Sequence, residues 1–393
     1  MASQSKIKII FFMMLLAIIA QFGTDNFTPS LPAIRQYFNI TTALTQYTVT
    51  FYFIGLSTSV FFIASLSDVY GRKAILIFGY SIFVLGSVLC HYSPTIYWLL
   101  AGRFIQGAGA ACGALFRSIL RDSYSGHELS RVSSIVVMTV TLTPPLAPIT
   151  GGYLEHFFGW RSNFILLGLM GFFAIFIILF YFHDTLPAEK RISLDIKKLT
   201  QNYCLCFKDP FFWTYAISSG MCLSLLFGYI AMGSFIYQVQ LGLTSVQYGW
   251  LSLFSIICVP FGALMSFFFV VKNGVEAIIR VGVAFMLIGA LCMLVLGLSG
   301  FLNLLAILLP MGLVYIGIGL MFGNLLSAAF EKVGHMAGVA SAAYSSIQAF
   351  CIFFMTLLAA HLPEHNQVPM ASYLLFGASI ILCCALMRKA LSR

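Results

Sequence analysis

The chain has 393 residues, of which 60% are hydrophobic and only 8% are charged. A soluble domain carries about 25% charged residues, so this composition excludes an ordinary soluble enzyme or binding domain and indicates a membrane protein. The formal net charge is +9, but the basic residues are scattered among short segments. That arrangement does not predict a nucleic-acid partner.

Twelve apolar runs are each long enough to cross a bilayer as a helix. They leave little of the chain for loops, so we expect an all-α integral membrane protein without a soluble domain. The predicted spans lie near residues 7–28, 43–66, 74–92, 96–119, 132–154, 161–182, 211–238, 246–270, 276–298, 302–325, 336–360 and 369–389.

Lys and Arg distribute unevenly between alternate loops, and this distribution predicts the orientation of the chain. The outer loops contain only Arg35 and Arg161, whereas most other basic residues fall in the alternate loops and at the two termini. Both termini are therefore predicted to be cytoplasmic. The first span has no small-residue cleavage site after it, so we interpret it as an uncleaved span rather than a signal peptide.

The longest inner loop, residues 183–208, divides the spans into two groups of six. Two six-helix bundles joined by a basic linker are typical of a transporter that alternates access around a midplane site. The predicted organisation is an N-terminal bundle at 1–182, a cytoplasmic linker at 183–208 and a C-terminal bundle at 209–393.

Asp25 lies within the first apolar run, and Arg103 lies about ten residues into the fourth, at a similar predicted depth. Ionisable residues inside the membrane are costly and mark functional sites by default. The alternative is a structural role in which Asp25 caps a helix end near the outer interface. Burial favours the neutral form of a carboxyl group, whereas a nearby cation favours its charged form, so Asp25 and Arg103 are predicted to bind and release a proton.

Two other segments break the apolar pattern. The loop after the second span contains an acid, a turn-forming glycine and two cations, namely Asp68, Gly71, Arg72 and Lys73. It predicts a tight turn whose two cations lie at the cytoplasmic side of the membrane. The fifth span contains Pro144, Pro145, Pro148, Gly151 and Gly152, which predict a bent helix that neighbours approach closely.

Together these segments resemble the major facilitator superfamily, in particular its twelve-span drug:proton antiporter family and the Bcr/CflA-like branch. The first-span stretch 24–32, the loop 68–73, the span-four stretch 103–111, the span-five stretch 144–152 and the span-six entry 160–164 carry the resemblance. Phe27 replaces the usual tyrosine, and Val69 stands where an arginine is commoner. The resemblance implies the major facilitator fold and proton-coupled export of small hydrophobic or cationic compounds through the inner membrane of a bacterium, by a monomer without cofactor or metal.

Polar and aromatic residues on inward faces are the candidates for substrate contact. A side-chain amide deep in a span needs a partner, so Asn324 and Gln348 are better candidates than any single aromatic residue. The candidate set is Tyr47, Phe51, Gln106, Met138, Phe235, Gln238, Asn324 and Gln348.

Other functions stay open at this stage. Export of an endogenous metabolite, such as a siderophore or a sugar-like compound, would use the same machinery, and a non-transporting receptor or scaffold is a further alternative. The His361 to His365 stretch fits the His-x-x-Glu-His pattern of some zinc proteases, but Pro363 disfavours a helix with both histidines on one face. The chain contains no phosphate-binding loop for ATP-driven transport.

Overall fold

The computed structural model describes residues 6–124, 126–187, 189, 191, 208–331 and 337–391, and within these ranges the regular secondary structure is helical throughout. Ten helical segments in the described ranges are long and apolar enough to cross a membrane. Two more long helices, of 29 and 33 residues, lie among them. The prediction of an all-α, multi-pass membrane protein is therefore confirmed.

The described part of the N-terminal half comprises eight α-helices that form six membrane-length units. The first unit is two helices joined by a 3-10 turn at Thr28–Ser30, and the fourth is two helices joined by a 3-10 segment at Ala111–Leu115. The helices are α1 Lys6–Asp25, α2 Leu31–Phe38, α3 Thr42–Tyr70, α4 Arg72–His91, α5 Ile96–Ala110, α6 Phe116–Ser123, α7 Gly126–Phe158 and α8 Arg161–Tyr181.

The described part of the C-terminal half also forms six membrane-length units. Its first helix continues into a π-helical segment, Ile236–Gln240, and its second unit is two helices separated at Ser252. The helices are α9 Pro210–Phe235, α10 Ser245–Leu251, α11 Leu253–Asn273, α12 Val275–Leu298, α13 Leu304–Phe330, α14 Ala337–Ala360 and α15 Val368–Leu391.

The helices match the predicted spans closely, and the main difference is at the first one. We predicted that span one would end near residue 28, but the chain continues through the 3-10 turn into α2 and ends at Phe38. Pro29 and Pro32 each stand in the first turn of a helical segment, where a proline removes no required hydrogen bond. These prolines therefore interrupt the helix without ending the unit.

One-residue links join two pairs of helices at matching places in the two halves. Gly71 joins α3 to α4 with φ of 94°, and Gly274 joins α11 to α12 with φ of 78°. Positive φ is accessible to glycine without a steric penalty. The same type of link therefore joins the second and third membrane-length units of each half.

Two hydrophobic cores form, one for each half. One is built from residues 12–182 together with a few residues of α9 and α14, and the other from residues 212–381. Phe53 of α3 and Phe227 of α9 pack with ring centroids 4.8 Å apart, so the two halves also touch between these helices.

Hydrogen bonds between the halves occur at the end of the bundle that the Lys and Arg distribution predicts to be outside. Tyr47 Oη lies 3.1 Å from His361 Nε2, and Gln46 donates from its side chain to the Glu364 carboxylate. Gln238 Nε2 donates over 2.9 Å to a carbonyl in the 3-10 turn after α1. We call these five residues the outer gate, and their contacts close this end of the interface.

Candidate functional site

Asp25 is the last residue of α1 and is almost completely buried, with 1% of its surface exposed. Neither of its carboxylate oxygens accepts a hydrogen bond of ordinary geometry among the described residues, and the hydroxyl of the adjacent Thr24 donates to Gln21 O over 2.7 Å. Its main-chain oxygen accepts a hydrogen bond of 2.8 Å from Thr28 Oγ1, which fixes the backbone at the turn. The arrangement presents a buried carboxyl group at the end of α1.

Arg103 lies fully buried on α5 beside the same turn. Its guanidinium donates to the Thr48 and Gly23 carbonyls, each over 3.1 Å, and lies 4.1 Å and 4.3 Å from the ring centroids of Phe27 and Tyr52. Carbonyl dipoles and aromatic faces therefore compensate its charge.

Arg103 and Asp25 are close enough to interact electrostatically, but they do not form a direct ion pair among the described residues. The Nη2 atom of Arg103 has no hydrogen-bond partner in the described structure. Gln106, one of the predicted substrate residues, instead accepts from Nη1 and donates to Ser87 Oγ over 2.7 Å. Gln106 thus belongs to the polar shell that holds Arg103.

An amide cluster holds the end of α1 against α7 and α8. Asn26 Nδ2 donates to Asn163 Oδ1 over 2.7 Å, and Asn163 Nδ2 donates to Ser30 Oγ over 2.8 Å. All three side chains are fully buried. Asn163 stood in a motif that carried the resemblance, but its contact with the residue next to Asp25 was not predicted.

The span-five motif lies where α7 meets both α1 and α10. A Cβ on Gly151 would lie 1.5 Å from Asn26 O, and one on Gly152 would lie 2.5 Å from Ser245 O. These glycines allow main chain to contact main chain between the two halves and beside the Asp25 turn.

The three prolines of the motif lie inside one continuous helix, α7. Pro145 O accepts a hydrogen bond of 2.8 Å from Ser252 Oγ in the C-terminal half. The close packing that Pro144, Pro145 and Pro148 predicted with the two glycines is therefore present at this part of the interface.

Buried tyrosines of the C-terminal half face the Asp25 region, and sequence reasoning did not place them in the site. Tyr248 and Tyr315 are both close enough to Asp25 to interact electrostatically. Tyr229 and Tyr237 hydroxyls lie 2.8 Å apart, and the ring centroids of Tyr229 and Tyr315 are 6.0 Å apart.

The other predicted substrate residues occupy different surroundings. Gln348 Nε2 donates to Ser219 Oγ over 2.8 Å, and Asn324 Nδ2 donates to Ser266 Oγ over 2.7 Å, so both amides have the helix-to-helix partners expected of them. Tyr47 and Gln238 belong to the outer gate. Phe235 is buried, with 1% of its surface exposed, whereas Phe51 is 37% exposed. The Met138 side chain lies outside the described residues.

The loop motif forms a charged cluster around Arg72. Its guanidinium lies 2.6 Å from Asp68 and 3.0 Å from Asp122, and its main-chain N–H donates to Asp184 Oδ1 over 3.0 Å. A Cβ on Gly71 would lie 2.1 Å from Asp184 Oδ2. Asp122 and Asp184 were not predicted as partners of Arg72, since they come from α6 and from the linker.

Lys73, the last residue of the loop motif, makes a separate contact. Its Nζ donates to Leu179 O near the end of α8, over 2.9 Å. The loop therefore connects α3 and α4 to α8 and the linker at the inner end.

Comparison with known proteins places this geometry in context. Residues 13–356 match the family description Major Facilitator Superfamily. The chain is 28% identical to the "Bicyclomycin resistance protein homolog" of Haemophilus influenzae, covering 94% of this chain and 93% of that protein. It is 24% identical to the "Multidrug resistance protein D" of Escherichia coli, covering 98% and 96%.

The fold is also shared with solved transporters. A crystal structure of a D-xylose-proton symporter superimposes with a TM-score of 0.76 at 13% identity, covering 97% of both chains. A peptide transporter structure gives a TM-score of 0.75 at 14% identity, covering 98% of this chain and 94% of the other. At these identities the likeness concerns the fold.

The fold and the buried charged site define a multi-pass secondary transporter rather than an enzyme. The chain belongs to the Major Facilitator Superfamily. The superfamily assignment made from the motifs is thereby confirmed, as is the similarity to resistance proteins that those motifs indicated.

Proposed function

We propose that the protein is a proton-coupled antiporter that exports small hydrophobic or cationic compounds by alternating access. The observation that carries this proposal is Asp25, a buried carboxyl group whose oxygens accept no hydrogen bond of ordinary geometry in the described structure. The names of the relatives support a role in drug efflux, since they include bicyclomycin, chloramphenicol and multidrug resistance proteins.

The proton and the substrate compete for the site at Asp25. An unpaired carboxylate is costly in a buried position, so the arrangement favours a carboxyl group that carries its proton while the outer end is closed. A cationic substrate entering from the cytoplasm would instead favour the ionised form, because opposite charges attract strongly in a low dielectric. Binding of substrate therefore drives release of the proton into the cytoplasm.

Arg103 is proposed to assist this exchange without neutralising Asp25 permanently. Its guanidinium is fixed by two carbonyls and two aromatic rings, so it stays in place whether or not Asp25 is charged. A fixed cation limits the proton affinity of Asp25 and allows the proton to leave.

The energy source is the proton gradient. One elementary charge crossing the membrane potential supplies about 2.3 kcal/mol per 100 mV, which is enough to concentrate a neutral compound substantially. We propose the inner membrane of a bacterium as the location, and bacterial relatives support this. The two halves of one chain supply both sides of the interface, so a monomer is the proposed working unit.

The proposed alternating movement involves residues 1–182 and 209–393 as two units joined by the linker 183–208. The observed contacts of the outer gate and of Gly152 with Ser245 would break when the outer end opens. The Arg72 cluster at the inner end would then be rearranged by closure on that side.

The proposal is tested by drug-induced proton movement in inverted vesicles that contain the protein. Lipophilic cations, neutral antibiotics and iron-chelating metabolites are added separately to acid-loaded vesicles, and a pH-sensitive dye reports proton release. A response to lipophilic cations or antibiotics supports drug efflux. A response to the iron-chelating metabolites alone would replace drug efflux with export of an endogenous metabolite.

A further inference from the structure

Glu364 is an acidic residue at the outer gate that the coupling mechanism does not use. It lies in the segment between α14 and α15, half-buried against the N-terminal half. Gln46 Nε2 of α3 donates to its Oε1 atom, and Gln240 Nε2 donates to its main-chain oxygen over 3.2 Å. Its side chain is therefore part of the contact between the two halves.

The partner amide has an unused acceptor. Gln46 is 2% exposed, and its Oε1 atom is buried without a hydrogen-bond partner among the described residues. A carboxylate has no hydrogen to donate to that oxygen, whereas a carboxylic acid has one. A protonated Glu364 can donate to Gln46 Oε1 while it accepts from Gln46 Nε2, so only the neutral acid satisfies both ends of the amide.

Charged and titratable neighbours surround this pair on several elements. Arg35 of α2 interacts electrostatically with Glu364, and His361 and His365 lie in the same segment as Glu364. His361 Nδ1 lies 2.8 Å from Leu357 O, a contact in which the nitrogen must donate, and its Nε2 faces Tyr47 Oη.

Burial raises the pKa of Glu364 from its ordinary 4.5 to about 8, although Arg35 and hydrogen bonds with Gln46 and Thr42 act in the opposite direction. Arg35 also lines an open polar cleft of about 620 Å³ at the outer surface. The pair therefore lies beside a surface that external water reaches.

We propose that Glu364 is a second proton-binding site, separate from Asp25, and that its proton holds the outer gate closed. The neutral acid pairs with the Gln46 amide across the interface when the two halves are together. Loss of the proton leaves a buried carboxylate facing an unsatisfied carbonyl oxygen, and the halves separate at this end.

The direction of the pH effect follows from linkage. In an open gate that exposes Glu364 to water its pKa returns towards the ordinary 4.5, whereas in the closed gate it is about 8, so closing takes up a proton between these values. The proton on Glu364 favours the closed form fully at a pH below the lower pKa. This preference is lost as the pH rises through the upper pKa. One linked proton changes the ratio of closed to open forms by at most about tenfold per pH unit.

This proton comes from the outside and returns to the outside, so it is not transported. Acid outside would close the outer gate and thereby assist the inward movement of a proton on Asp25. The inference rests on the proposed alternating-access function but concerns a different carboxyl group.

The test measures the width of the outer end with two spin labels in the full-length protein in lipid nanodiscs. Tyr92→Cys and Leu298→Cys place the labels at exposed positions on the two halves, 75% and 71% exposed, after the native cysteines are replaced. Asp25→Asn is present in every sample, so that the coupling carboxyl group cannot titrate. Distances are measured by pulsed electron resonance from about pH 5 to about pH 9.

We expect the short-distance population to dominate at acid pH and to decline towards pH 9 in the parent. Glu364→Gln, which keeps an amide partner for Gln46 at every pH, should stay closed throughout the range. His365→Asn, at an exposed position of the same segment outside the outer gate, is the matched control and should keep the parent's midpoint. A second variant, Gln46→Leu, should lower the closed fraction at acid pH because the acid loses its partner.

The inference would be overturned if the distances in Glu364→Gln still changed with pH as in the parent. It would also be overturned if the pH-dependent change disappeared in His365→Asn. A parent that shows no change across the range would also overturn it. The distance measurement needs no transport, so these results are independent of whether Asp25 couples drug and proton.

Discussion

Replacing Gly151 by alanine tests whether close packing of α7 on the Asp25 turn is necessary. The added Cβ would lie 1.5 Å from Asn26 O, whereas ordinary contact begins near 3.4 Å. The main chains of α1 and α7 would have to separate by roughly 2 Å, because neither atom belongs to a flexible side chain. This movement would also strain the Asn26–Asn163 hydrogen bond of 2.7 Å.

Two opposing effects determine how Gly151→Ala changes the free energy of unfolding. Alanine stabilises a helix interior by about 0.8–1.0 kcal/mol relative to glycine. Overpacking typically costs 1–3 kcal/mol. Backbone-to-backbone overlap belongs at the upper end of that range, so after the helix gain is subtracted we expect Gly151→Ala to destabilise the protein by about 2 kcal/mol.

The assay is thermal unfolding of the purified protein in detergent, followed by drug-induced proton movement in vesicles. Gly168→Ala on α8 is the matched control, since its Cβ would meet Ser87 Cβ at 3.5 Å, an ordinary contact. We expect Gly151→Ala to unfold at a lower temperature than the parent and to lose transport, and Gly168→Ala to retain both properties. Equal stability of the two variants would refute the packing described for α7.

Two other substitutions probe the buried cations. Arg103→Lys should reduce transport at least about tenfold without loss of expression, because an ammonium group cannot make the guanidinium's hydrogen bonds while lying between Phe27 and Tyr52. An Arg103→Lys protein that transports at the parent's rate would contradict this role. Glu276→Gln should destabilise the protein by an amount towards the lower end of about 3–5 kcal/mol, because it leaves the buried Arg388, 2.9 Å away, without its anion. The double variant Glu276→Gln with Arg388→Met should recover part of this lost stability in thermal unfolding, and no recovery would contradict the pairing.

Sequence reasoning predicted the fold well because membrane crossing imposes strong and local constraints. A run of about twenty apolar residues has few structural solutions in a bilayer, so the spans could be predicted from composition alone. The continuation of the first unit to Phe38 was missed because Pro29 and Pro32 look like helix breakers until their positions in first turns are known. Such positions depend on the neighbouring turns.

The candidate site was predictable in part. Asp25 and Arg103 stand out because their charges are rare within apolar runs, and the structure brings them to the same turn. The tyrosines Tyr248 and Tyr315 were not identified, because aromatic residues are abundant in this chain and only tertiary packing distinguishes those near Asp25. No sequence pattern distinguishes these two tyrosines from the others.

The contacts at the outer and inner ends were also not predictable from sequence, because their partners are distant along the chain. Arg72 was noticed in a motif, but two of its partners, Asp122 and Asp184, lie about fifty and more than a hundred residues away along the chain. Glu364 appeared only within a rejected zinc pattern. Its contact with Gln46 joins residues from opposite halves, and no local pattern predicts such a pairing.

The central claim is that Asp25 carries the coupled proton, and the most direct measurement compares wild type with Asp25→Asn in acid-loaded inverted vesicles. A pH-sensitive dye reports proton release on addition of a lipophilic cation, while protein level and thermal unfolding confirm that both samples are folded. We predict release from wild type and none from Asp25→Asn. Full proton-coupled transport by folded Asp25→Asn would contradict the mechanism.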